Sequence, residues 1–136
     1  MARILSIDYG EVRVGLAMSD ITNTIATGLD TLVINKDKSK LIDKVKELID
    51  EYKIEKIVIG YPKNMNGTLS KKTEEVDKIV EKLKAFEIEI VKWDERLTTV
   101  MAHKTMRELG IKQKEKKIHA DRLAAMYILE DYLRSI

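Results

Sequence analysis

The sequence predicts an α/β fold: a mixed β-sheet of about five strands, the first three antiparallel, flanked by about four helices. Two short apolar runs, RILSID (3–8) and VRVGLAMS (12–19), flank a turn at the start of the chain. Two further β-branched runs, KIVIG (56–60) and IEIVKW (88–93), each follow a stretch with helical spacing. The resulting order, β-β-β-α-β-α-β-α-α, is that of a mixed sheet with helices packed on it.

In the first pair, Asp8-Tyr9-Gly10-Glu11 supplies the turn chemistry of an antiparallel hairpin. A third strand is expected over 26–34, weakened by Gly28 and Asp30. From Lys38 to Tyr52, Leu41, Ile42, Val45, Leu48 and Ile49 recur at helical spacing. Strand 56–60 then runs into YPKNMNGTLS (61–70), whose Pro, Asn and Gly predict a long loop. Val76, Ile79, Val80 and Leu83 predict a helix over 71–86, and the next strand ends at Asp94-Glu95. Two helices are expected to follow, about 98–109, stopped by Gly110, and about 120–134. Between them, IKQKEKKIHA (111–120) reads as a basic connector.

With 136 residues, 44% of them hydrophobic, the chain is expected to form one domain spanning 1–136 around a single core. It has no cysteine and only two histidines, His103 and His119, so any metal would be held by carboxylates. MARILSID does not read as a signal peptide, and LAAMYIL (123–129) is far too short to span a membrane. A cytoplasmic location follows as an expectation. Lys and Arg number 25 against 23 acids, and a net charge of +2 is too small to identify a nucleic-acid partner from the overall field.

Three acidic positions fall where an element should be apolar: Asp8, the Asp94-Glu95 pair, and Asp121. Singly they have structural explanations: a turn residue, a partner for Arg96, or a helix N-cap. Together they gain meaning, because the crevice of an open sheet lies outside the carboxyl ends of its strands. Asp121 shares a helical face with Ala124, Ala125 and Ile128, and the small alanines would let that helix lie close on the sheet. Clustered carboxylates repel unless a cation neutralises them, and oxygen donors suit Mg²⁺ or Mn²⁺. That chemistry serves phosphodiester hydrolysis. Of Asp94 and Glu95, adjacent on a strand and therefore on opposite faces, only one can face Asp8, and Glu95 is preferred.

Four stretches carry a family resemblance: DYGEVRVGLAMSD (8–20), VIGYPKNMNGT (58–68), WDERLTT (93–99) and DRLAAMYILEDYL (121–133). In kind and order they resemble the signature blocks of the YqgF family, also called RuvX, over nearly the whole chain. The resemblance implies a ribonuclease H-like fold and a nuclease that matures the 5′ end of the precursor of small-subunit (16S) ribosomal RNA. Members were earlier proposed to be Holliday junction resolvases. It also implies an acidic, metal-binding site of Asp8, an acid of the DER block and Asp121.

Further residues are expected to contact nucleic acid. Arg13 and Arg96 could hold a phosphate or tether a carboxylate. Lys63 and Asn64 lie on the loop overhanging the crevice. Lys71 and Lys72 open a helix, where cations oppose the helix dipole, which favours a phosphate-facing role. Lys112, Lys114, Lys116 and Lys117 of the connector are expected to contact the backbone without sequence choice. RNA is the favoured partner, within ribosomal precursor particles, with junction DNA as the alternative. The chain would act as a monomer or homodimer, and a junction-specific enzyme would require the dimer to make paired cuts. The rivals are an actin-like ATPase, which needs a second lobe that 136 residues cannot supply, and a non-catalytic binding module.

Overall fold

A computed structural model describes residues 3–61, 71–94 and 113–136, and for 113–121 the backbone alone. Six strands form the sheet: β1 (Arg3–Asp8), β2 (Arg13–Ser19), β3 (Ala26–Gly28), β4 (Leu32–Val33), β5 (Ile54–Tyr61) and β6 (Glu89–Asp94). Their order is β3-β2-β1-β5-β6, with β4 also paired to β2. β1, β2 and β3 are antiparallel in sequence, as expected, while β5 and β6 join in parallel. Two helices, α1 (Lys38–Tyr52) and α2 (Lys71–Leu83), cover one face, and α3 (Gln113–Ser135) covers the other.

The strand periodicity sets this layering. Leu5 and Ile7 of β1, Val14 and Leu16 of β2, and Ile57 and Ile59 of β5 pack with Leu41, Val45, Val76 and Ile79 of α1 and α2. Ile4, Ala17 and Val58, on the alternate positions, pack with Ala125, Ile128, Leu129 and Tyr132 of α3. Because both faces are covered, β1 and β5 carry near-continuous apolar runs. Each large aliphatic side chain buried this way contributes about 1.5–3 kcal/mol. α1 begins as its sequence allows, with Asp37 as N-cap accepting from Ser39 N–H. It ends at Lys53, whose left-handed backbone returns an N–H to the Ile49 carbonyl at 2.9 Å.

Two expectations are corrected. The strand expected over 26–34 is two short strands, because Ala17 pairs with Gly28 while Val14 pairs with Leu32. Leu29, Asp30 and Thr31 therefore face only Gly15 and Leu16, a one-residue bulge. The expected basic connector is helical from Gln113, so α3 begins seven residues before the predicted Ala120. Lys114, Lys116 and Lys117 thus stand on a helix rather than in a loop. The helix expected over 98–109 and most of the loop expected over 61–70 lie outside the described residues.

Candidate active site

Asp8 is the last residue of β1, and only 8% of its surface is exposed. Strand alternation puts it with Ile4 and Ser6 on the face covered by α3. Its partner across the β1–β2 ladder is Gly15, which places no side chain beside the carboxylate. The bulge of Leu29–Thr31 lies opposite Gly15 and Leu16, so the sheet is irregular immediately next to Asp8. Arg13, two residues before Gly15, falls on the same face as Asp8.

Ser6 ties β1 to α3. Its buried hydroxyl donates to the Ala125 carbonyl at 2.7 Å. Lys56, at the other end of this face, donates to the Tyr132 hydroxyl at 2.6 Å. α3 therefore runs antiparallel to β1. Asp121 lies one turn before Ala125, at the end of the helix nearer the carboxyl end of β1. As the ninth residue of α3 it is not an N-cap, which removes the capping explanation. Sequence reasoning does not find Ser6; its signal is a hydroxyl two residues before Asp8 in an otherwise apolar strand.

Asp94 is on the wrong face to join Asp8. It pairs with Tyr61, and Lys92, two residues earlier, bonds Asp77 of α2 at 2.8 Å. Val91 and Trp93 point instead to the α3 side, where Trp93 meets Tyr132 edge to face at 5.5 Å. Asp94 thus shares the α1–α2 face, across the sheet from Asp8. Glu95 and Arg96 lie outside the described residues, as do Lys63, Asn64 and Lys112. Among the described residues no group of three potential metal ligands is gathered.

The same end of the sheet collects the starts of α1 and α2. Lys71 opens α2 and stands 3.6 Å from Glu11, highly exposed. Lys38 of α1 forms an ion pair with Glu75 of α2, which raises the lysine and lowers the carboxyl. Beneath that pair Tyr9 is buried, and desolvation raises its phenol above the ordinary value, partly offset by Lys38. Arg122 serves structure: Nε donates to the Leu29 carbonyl at 3.0 Å, and the guanidinium pairs with Asp30 at 3.2 Å. A Cβ on Gly28 would fall 2.4 Å from Arg122 Cγ, so glycine leaves the passage for that strap. A groove between α2 and β6, lined by Asp77, Glu81, Ile88 and Ile90, is on the face away from Asp8.

A sheet of this order, with helices on both faces, has the ribonuclease H-like fold. Two solved structures share that fold. The Thermus thermophilus RuvC structure aligns with a TM-score of 0.60 at 12% identity, covering 98% of this chain and 95% of that one. The Fowlpox virus resolvase, in complex with substrate Holliday junction DNA, aligns at 0.58 and 14%, covering 98% and 97%. The RuvX family profile, described as Holliday junction resolvase, matches residues 2–135, and the chain belongs to that family. A relative from Ruminiclostridium cellulolyticum is 46% identical over 135 residues, covering 98% of this chain and 95% of its own. One from Acetivibrio thermocellus is 42% identical over 137 residues, covering 98% and 96%. Both carry the name "Putative pre-16S rRNA nuclease". Among the described residues no helix is long and apolar enough to cross a membrane.

Proposed function

We propose that residues 1–136 form a single metal-dependent nuclease domain that hydrolyses phosphodiester bonds and trims the 5′ end of precursor 16S ribosomal RNA. The observation that carries the reading is Asp8: a carboxylate buried at a strand end, beside a glycine, on the face against which α3 packs. Burying a carboxylate is costly without a compensating cation or donors. The names of the relatives supply the substrate class.

The donor set fits a hard divalent cation. Asp8, Glu95 and Asp121 would hold it, and Mg²⁺ or Mn²⁺ suits such all-oxygen ligands. When bound, the cation supplies Lewis acidity toward the phosphoryl oxygens. The position of Asp94 across the sheet from Asp8 supports Glu95 as the acid of the pair. Arg13, on the face of Asp8, orients the scissile phosphate through its planar fork. Lys71 and Lys72, with Arg96, Lys63 and Asn64, are the further residues this reading assigns to phosphate contacts. Lys112, Lys114, Lys116 and Lys117 bind the flanking backbone, adding affinity without sequence choice. The Ser6 hydroxyl ties β1 to the Ala125 carbonyl, one turn after Asp121, and so helps to hold the spacing of Asp8 and Asp121.

The test compares cleavage of precursor 16S RNA, generic single-stranded RNA and four-way DNA junctions with Mg²⁺ or Mn²⁺, using Asp8→Asn as control. Cleavage of the precursor near its 5′ end, abolished by chelation and by Asp8→Asn, is expected. Activity that survives Asp8→Asn would remove the catalytic assignment. Cleavage confined to the junction would make the chain a resolvase instead.

A further inference from the structure

Each end of α1 carries a lysine in the left-handed backbone region. At the far end Lys53 has φ 54°, and there the conformation is the ordinary way to stop a helix. At the near end Lys36 has φ 68°, directly after Asn35 at φ 46°, and no helix ends there. Asn tolerates this region, whereas a lysine gains nothing from it that glycine would not supply with less strain. The conformation is imposed by the fold. Ile34 and Asn35 N–H both donate to the Val12 carbonyl, at 2.8 and 3.2 Å, and Lys36 N–H donates to the Glu11 carbonyl at 2.6 Å.

Those acceptors belong to the turn that begins at Asp8. Three hydrogen bonds, one of them from Lys36 itself, thus pin residues 34–36 to the loop of the buried carboxylate, while the Lys36 side chain remains exposed. Packing gives no reason for a long side chain there. The nearby acids are engaged elsewhere, Asp37 with Ser39 and Glu11 with Lys71. Among the described residues none pairs with the Lys36 ammonium. A strained, exposed lysine with no charge partner among the described residues, beside the turn that follows Asp8, points to a role other than folding.

Resting on the nuclease reading above, we infer that Lys36 is a substrate-binding residue, its ammonium contacting a backbone phosphate of the nucleic-acid strand next to the Asp8 site. Its conformation lowers stability, and the contact is what the chain gains in return. Lys53, with the same charge and backbone region, stands at the opposite end of α1, beside the start of β1, where Arg3 N–H meets its carbonyl. It is the matched control.

The experiment measures dissociation constants of the full chain for single-stranded RNA and for a four-way DNA junction, across salt and without divalent cation, alongside thermal midpoints. Lys36→Gly should raise the midpoint, weaken RNA binding about fivefold at about 0.1 M salt, and reduce the salt slope by about 0.7. Lys36→Arg should retain the parent's affinity and slope. Lys53→Gly should raise the midpoint and leave binding unchanged. If Lys36→Gly binds RNA and junction as the parent does, or if Lys53→Gly weakens binding equally, the inference is overturned while the nuclease reading stands. If the parent binds neither nucleic acid, that reading falls and this inference with it.

Discussion

Asp20 shows at the residue scale how a single carboxylate holds a turn. It ends β2's run into the β3 hairpin, where Oδ1 accepts from Thr24 N–H at 2.8 Å and Ile25 N–H at 2.9 Å. The Thr22 hydroxyl donates to its other oxygen. These donors, the Ile25 amide first, lower its pKa to about 2. A carboxyl depressed in the folded state stabilises it above its unfolded pKa of about 4, and that contribution is lost as pH falls through the folded value. Asp20→Ala should therefore unfold at lower urea than the parent at pH 7, and the gap should narrow by about pH 3. A gap that stays constant over that range would mean that charge is not its source. At this scale much was legible. Asp8 announces itself as an acid ending an apolar strand, and Gly10 as a turn residue whose Cβ would lie 2.4 Å from the Arg13 carbonyl oxygen. Lys36 does not, since nothing in its neighbours' identities encodes a positive φ.

At the scale of elements, periodicity found β1, β2, β5, β6, α1, α2 and the apolar part of α3. It failed where an apolar face is missing. Residues 113–117, QKEKK, are good helix formers with no hydrophobic repeat, so propensity makes a helix where pattern reading sees a connector. The break in 26–34 was equally hidden, because it arises from β2 pairing two partners out of step and from Arg122 reaching Leu29 across 93 positions. For Asp94, strand alternation and the register with β5 suffice to put it on the α2 side. α3 docks mainly through apolar packing, to which one buried hydrogen bond adds a fixed tie to β1. Ser6→Ala should lower stability by about 1 kcal/mol in urea unfolding, the usual net value of such a bond. Because the same bond helps to hold the spacing of Asp8 and Asp121, nuclease activity measured at a temperature where the variant is fully folded should fall further than that of the parent. Full activity in a destabilised Ser6→Ala would show that α3 is located by Ala125, Ile128 and Leu129 alone.

The whole molecule bears on how many strands are cut per encounter. Paired, symmetric cleavage of a four-way junction needs two sites related by a twofold axis, whereas one domain with one acidic end can cut one strand at a time. Stable association normally requires a contiguous apolar surface. The exposed large hydrophobics among the described residues are dispersed: Val12 and Val33 lie by the turn after Asp8, Ile21 and Ile25 by the β2–β3 hairpin, and Ile136 at the end of the chain. The described surface thus supports a monomer over a homodimer, and sedimentation of the chain at micromolar concentration checks it. On a supercoiled plasmid bearing an extruded cruciform it should leave the substrate intact or accumulate nicked circles, while trimming precursor RNA one strand at a time. Linear plasmid formed in a single encounter, together with a dimer in the ultracentrifuge, would contradict this and make the twofold assembly the working form.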